Sequence, residues 1–145
     1  ADVTGVQTCA LPISLSTQSG PAQMKRCRAR WPTPNDAAAA SGVTRVRGAS
    51  ELRVKESDRI AAMVGGLQSL GIDATEVPDG MDILGGKILG GRVESYGDHR
   101  VAMAFAIAGS IAEGEIEISE SQNVATSFPS FVAEASGIGL SIQEQ

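Results

Sequence analysis

The stretch Glu51-Leu52-Arg53-Val54-Lys55-Glu56-Ser57-Asp58-Arg59-Ile60-Ala61-Ala62-Met63 decides how this chain is read. It opens on alternating residues suited to a strand, passes through a dense charge cluster and turns into a helix. The helix follows from Ile60, Met63, Val64, Leu67 and Leu70, whose spacing sets them in one apolar stripe. Ser57 or Asp58 offers a side-chain oxygen to cap its start, and Gly71 stands where a C-terminal glycine ends a helix. Arg53, Lys55, Glu56, Asp58 and Arg59 therefore crowd a strand-to-helix junction, the corner at which α/β layer folds bind ligands. Taken alone, such a cluster also reads as a solvated turn with incidental ion pairs.

Tyr96-Gly97-Asp98-His99-Arg100-Val101-Ala102-Met103-Ala104 repeats the theme further along. Setting Arg59 on Arg100 places Asp58 near Asp98, Ile60 on Val101, Ala61 on Ala102 and Met63 on Met103. An arginine thus opens each of two helices that follow strand-like segments, and the two guanidinium groups are expected to face one site. Val101 to Ala112 is apolar nearly all round, which predicts a helix buried between layers, too short to span a bilayer. A weaker third unit runs from Thr126-Ser127-Phe128-Pro129 through Phe131, Val132, Ala135 and Gly137 to a strand-like Leu140-Ser141-Ile142. Two buried helices with cationic starts suggest an anion site, because free N–H groups and the helix dipole attract negative charge there.

Around these motifs, Val43 to Val54 reads as strand, turn at Gly48, strand, and Ile72 to Val77 as a strand. Pro78-Asp79-Gly80 is a turn signal. Ile83 to Gly91 reads as a hairpin, with Gly85-Gly86 and Gly90-Gly91 bounding Lys87-Ile88-Leu89. Neither a GxxxxGK[ST] nor a GxGxxG pattern is present, so these glycines serve turns rather than a phosphate cradle. Arg92 to Ser95 is a short strand, and Glu115 to Ser119 a half-buried one with an acidic, solvated outer face.

The 145 residues suffice for one domain with a real core, and 42% hydrophobic content is that of a soluble globular chain. A net charge of −5 argues against nucleic acid as a partner. That charge is unevenly spread. Residues 1–42 hold four Lys/Arg against two Asp/Glu, a net +2, whereas residues 43–145 hold eight against fifteen, a net −7. Within the basic head, Val3 to Ile13 resembles the in-frame translation of a common short-read sequencing adapter, the alternative being a natural N-terminal extension. Lys25-Arg26-Cys27-Arg28-Ala29-Arg30 and Trp31-Pro32-Thr33-Pro34 then show no periodicity, and no signal-peptide pattern is present. The expected division is a head, 1–41, that is misassembled or frame-shifted to about residue 36, with a helix end at Ala37 to Ala40, and a body, 42–145. Both cysteines, Cys9 and Cys27, fall in the head, and one histidine gives no zinc spacing, so the body offers neither a disulfide framework nor a metal site. A cytoplasmic protein is the default expectation.

Leu52-Arg53-Val54-Lys55-Glu56-Ser57-Asp58-Arg59, Pro78-Asp79-Gly80, Gly97-Asp98-His99-Arg100-Val101-Ala102-Met103 and Thr126-Ser127-Phe128-Pro129 together resemble the C-terminal part of the 3-phosphoshikimate 1-carboxyvinyltransferase (EPSP synthase) family. Order and spacing agree over about residues 42–142. The resemblance implies an α/β (α+β layer) fold of repeated βαβαββ units, of which this chain holds a partial domain. It also implies the reaction: transfer of the enolpyruvyl group of phosphoenolpyruvate to the 5-hydroxyl of shikimate 3-phosphate, releasing phosphate, in aromatic amino-acid biosynthesis. The family needs no metal or organic cofactor, no membrane and no nucleic acid, and its full-length members are expected to be monomers.

By the same resemblance Arg59 and Arg100 hold phosphoenolpyruvate, which suits arginine's planar fork, and His99 lies beside it. Lys55 matches a catalytic-site residue that contacts shikimate 3-phosphate. Glu56 matches a catalytic carboxylate that shuttles protons at the methylene carbon, a task suited to partial burial. Each has a structural alternative: Glu56 neutralising Arg59, or Asp98 capping its helix. Where some relatives carry lysine before Ser/Thr-Phe-Pro this chain has Thr126, and at the position of the family's catalytic aspartate it has Arg28. The alternatives are a UDP-N-acetylglucosamine enolpyruvyltransferase-like enzyme, against which the Lys-Glu-Ser-Asp-Arg and Gly-Asp-His-Arg pair speaks, and a non-catalytic anion-binding module.

Overall fold

In the computed structural model, which describes residues 34–143, the charged corner is carried by an eleven-residue helix laid between two sheets. Helix α1 (Pro34–Ala39) leads into β1 (Val43–Val46), a 3₁₀ turn (Ser50–Val54) and α2 (Arg59–Ser69). Then follow β2 (Asp73–Val77), β3 (Gly80–Leu84), β4 (Gly91–Glu94), α3 (His99–Ala108) and β5 (Ile116–Ser119). Helices α4 (Asn123–Ser127) and α5 (Phe131–Gly137) close the described part. This interleaving of helix and strand over two sheets is that of a partial α/β domain. The adapter-like residues 3–13, both cysteines and Arg28 lie outside the described residues.

The first sheet has the order β1-β3-β2, with β3 antiparallel to both neighbours. Strands β1 and β2 therefore run parallel to each other, joined by α2 as a crossover, with β3 inserted between them. Pairing puts Thr44 and Ala74 opposite Ile83, and Val46 opposite Met81, so one face of the sheet carries all five into the core. The second sheet pairs β4 and β5 in parallel, with α3 as its crossover. Helix α2 covers the first sheet and meets β4 and α3 with the rest of its surface. At that contact Gly66 lies against Phe105 so closely that a Cβ would stand 2.3 Å from the ring. Ala37 and Ala38 of α1, upstream of the expected boundary at residue 42, are fully buried in the same core.

Four sequence expectations are corrected. The second strand predicted within Val43 to Val54 is the 3₁₀ turn, closed by the Leu52 N–H on the Ala49 carbonyl at 2.9 Å. A strand would set Leu52 and Val54 on one face, whereas here Leu52 is 3% exposed and Val54 81%. The tight hairpin is formed by β2 and β3 around Pro78-Asp79, not by Ile83 to Gly91. Gly85 and Gly90 instead permit close approach of backbone, since a Cβ on Gly85 would stand 1.8 Å from the Ala40 carbonyl oxygen. Helix α3 stops at Ala108 rather than Ala112, where the Ser110 hydroxyl donates to the Ile107 carbonyl and Glu113 N–H to that of Ile88. Leu140 to Ile142 is not a strand; the Leu140 N–H donates back to Ala135 and closes the end of α5.

Candidate functional site

Two helix starts meet at one carboxylate. Asp58 caps α2, its Oδ1 accepting from the Ala61 N–H at 3.0 Å, and Asp98 caps α3, its Oδ1 accepting from the Arg100 N–H at 2.9 Å. At each helix start one N–H is thus taken by an aspartate cap. The chain reaches Asp98 from β4 through Tyr96 (φ 55°) and Gly97 (φ 68°), two left-handed residues in succession. The Asn123 side chain donates to the Gly97 carbonyl at 2.6 Å and holds this turn against α4.

Arg59, the first residue of α2, is 1% exposed. Its Nε donates to Asp98 Oδ2 at 2.6 Å and its Nη2 to Asp98 Oδ1 at 3.2 Å, a two-pronged pairing across 39 residues of chain. Nη2 also meets Glu56. Asp98 is fully buried, and the Ser57 hydroxyl donates to its Oδ2 at 3.0 Å. Burial pushes the Asp98 carboxyl up. The Arg59 hydrogen bond, the Arg100 N–H, the Arg59 charge and Ser57 outweigh it and hold the group below the ordinary carboxylate value.

A second arginine organises the approach to α2. Arg53 donates to Asp58 Oδ2 at 2.7 Å, to the Val77 carbonyl at 2.7 Å and to the Pro78 carbonyl at 2.9 Å. It therefore pins the 3₁₀ turn to the β2–β3 hairpin. Its pKa is raised, first by the hydrogen bond to Asp58. Asp58 is pushed up by burial, yet the Ala61 N–H and Arg53 bring it net below its ordinary value.

The residues expected to do chemistry fall at the same corner but in unlike surroundings. Lys55 is exposed at the end of the 3₁₀ turn, in extended conformation. Glu56 keeps 55% of its side chain exposed and is paired with Arg59. His99, the first residue of α3, is half-buried, and Arg100 beside it is exposed. Arg59 faces inward to Asp98, whereas Arg100 is exposed at the start of α3. Because Asp58 and Asp98 are the equivalent caps, the structural counterpart of Arg59 is His99, and Arg100 is one residue further in. Thr126 is exposed in α4. Sequence reasoning treated Asp98 as no more than a cap and missed its bonds to Ser57 and Arg59. Among the described residues no group of three or more His, Cys, Asp or Glu could hold a metal ion, and no helix is long and apolar enough to cross a membrane.

The segment that carries Lys55 and Glu56 and the segment that carries His99 and Arg100 are thus joined through Asp98 within a partial α/β domain. The EPSP synthase (3-phosphoshikimate 1-carboxyvinyltransferase) family model matches residues 24–134, and the chain belongs to that family. It is 57% identical over 107 residues to the 3-phosphoshikimate 1-carboxyvinyltransferases of Xanthomonas euvesicatoria and Coxiella burnetii. These matches cover 74% of this chain and 24% of each relative, so the chain spans about a quarter of their length. The solved EPSP synthase of Acinetobacter baumannii is similar with a TM-score of 0.73 and 48% identity, over 77% of this chain and 27% of that one.

Proposed function

We propose that this chain supplies part of a site for transferring the enolpyruvyl group of phosphoenolpyruvate to the 5-hydroxyl of shikimate 3-phosphate, with release of phosphate. The observation that carries the reading is the joining of the Lys55–Arg59 and Asp98–Arg100 segments through the Asp98 carboxylate. In this reading Arg100, exposed at the start of α3, takes an anionic group of phosphoenolpyruvate in its planar fork, with His99 alongside. Arg59 holds the same substrate from its Glu56-facing edge. Lys55 meets shikimate 3-phosphate, and Glu56, exposed and next to Arg59, moves a proton to and from the methylene carbon. A small soluble substrate pair of this kind fits a cytoplasmic location.

The 145-residue polypeptide by itself is expected to bind without turning over. Its matches cover about a quarter of each relative, and holding two anionic substrates together can supply roughly 7–11 kcal/mol of a barrier. The test is phosphate release from both substrates, alongside a phosphorus NMR titration with phosphoenolpyruvate. Weak binding that fades with added salt, and no release, is the expected result. A chain that ignores phosphoenolpyruvate overturns the reading.

A further inference from the structure

We infer that Asp98 is a positioning residue of this site: with Ser57 it fixes the guanidinium of Arg59 and, through the backbone of Arg100, the helix start that carries His99 and Arg100. The inference rests on the functional reading above. Asp98 is fully buried and spends its oxygens inward, so it meets no ligand itself. Oδ2 accepts from Arg59 Nε and the Ser57 hydroxyl, and Oδ1 accepts from Arg59 Nη2 and the Arg100 N–H. One planar group thus sets the start of α2 against the start of α3.

Neither of the simpler jobs needs that arrangement. A cap requires a single N–H bond, which is what Asp58 makes to Ala61 while its other oxygen meets Arg53 near the surface. A charge partner for Arg59 requires no serine. Ser57 has no capping role, because Asp58 is the cap, and its hydroxyl reaches Asp98 across 41 residues of chain. Arg59 therefore has an inner edge fixed on Asp98 and an outer contact with the exposed Glu56, and on the functional reading above that outer side is the one that meets the ligand. Pinning the inner edge removes the rotamer freedom that an arginine otherwise loses on binding.

The experiment uses the full chain, labelled with ¹⁵N, as wild type, Ser57→Ala, Asp98→Glu and Asp98→Asn. The Arg59 Nε–H signal, the melting temperature and phosphoenolpyruvate affinity by NMR titration are read for each. The wild type should show a slowly exchanging Arg59 Nε–H. Ser57→Ala should stay folded with a lowered melting temperature, because a hydrogen bond to a buried charge is lost. In the folded state it should bind phosphoenolpyruvate about tenfold more weakly, as a loosened arginine does. Asp98→Asn should free the Nε–H to exchange and weaken binding further, with partial recovery in Asp98→Glu. Wild-type affinity in Ser57→Ala, whether or not Asp98→Asn folds, overturns the inference and leaves the functional reading standing. No binding by the wild type overturns both.

Discussion

The start of α2 and the start of α3 are each closed by an aspartate, yet only the aspartate of α3 is out of reach of water. Asp58 keeps 38% of its side chain exposed and shares Arg53 with Glu76 and the hairpin carbonyls. Asp98 is fully buried, and its main partner, Arg59, is buried with it. The same capping chemistry is therefore a local convenience at one helix and a structural junction at the other. What differs is the dielectric around the pair. An ion pair in water is worth little, whereas one held away from water cannot lose a partner without stranding the other charge.

The sharpest way to break this comparison is to remove each aspartate in turn. Asp98→Ala leaves the Arg59 guanidinium buried without its main partner and should cost about 3–5 kcal/mol in urea unfolding. Asp58→Ala removes one cap and should cost about 1 kcal/mol. Equal losses would mean that the two junctions are energetically alike. Next come the arginines. Arg59→Lys forfeits the two-pronged pairing and should cost roughly 1.5–3 kcal/mol. Arg100→Lys, at the surface, should stay within about 0.5 kcal/mol of wild type in stability. If Arg100→Lys proved the more destabilising, the assignment of inner and outer arginines would be reversed.

The contact between the two helices gives a smaller effect. Gly66→Ala drives a methyl into Phe105 and Val93 and should destabilise by about 1–3 kcal/mol. Gly65→Ala meets nothing within 4 Å and should stabilise by roughly 0.5–1 kcal/mol, as alanine does in a helix interior. Thermal unfolding of the two variants reads the difference directly. The smallest effect is on pH dependence. Asp58 and Asp98 both have folded pKa values below the ordinary one, so their stabilisation is complete above about pH 4 and is lost as pH falls through the lowered values. Asp98→Asn and Asp58→Asn should each flatten the acid limb of stability. A steeper limb in Asp98→Asn would contradict the burial-and-pairing account.

Much of this corner could be read from the chain alone, for reasons that are physical. The stripe Ile60, Met63, Val64 and Leu67 specified α2 because helical burial repeats at helical spacing. Ser57 or Asp58, of which Asp58 is the cap, and Gly71 marked its ends because capping is a local interaction, and Gly71 takes a φ of 83°. Lys55, Glu56, His99 and Arg100 were singled out because they sit in short motifs. The grip of Arg53 on the hairpin carbonyls and of Ser57 on Asp98 was not found. Those bonds cross 24, 25 and 41 residues, and no sequence period reports them. The strand expected at Leu52 and Val54 failed because alternation does not say which of two apolar residues will be covered. Here the 3₁₀ turn closed by the Ala49–Leu52 hydrogen bond sets Leu52 into the core and leaves Val54 in water.

The length of chain between Arg59 and Asp98 has a kinetic consequence. Their pairing spans 39 residues, a stretch that contains most of α2 and all of β2, β3 and β4. Closing such a loop costs entropy that grows as (3/2)RT ln n, and a single ion pair does not repay it without the intervening packing. The junction should therefore gain its strength in step with the sheets rather than ahead of them. Non-local contacts of this kind are the ones that slow folding. A cut in the segment between Gly85 and Gly90 would lengthen that search without touching any residue of the corner.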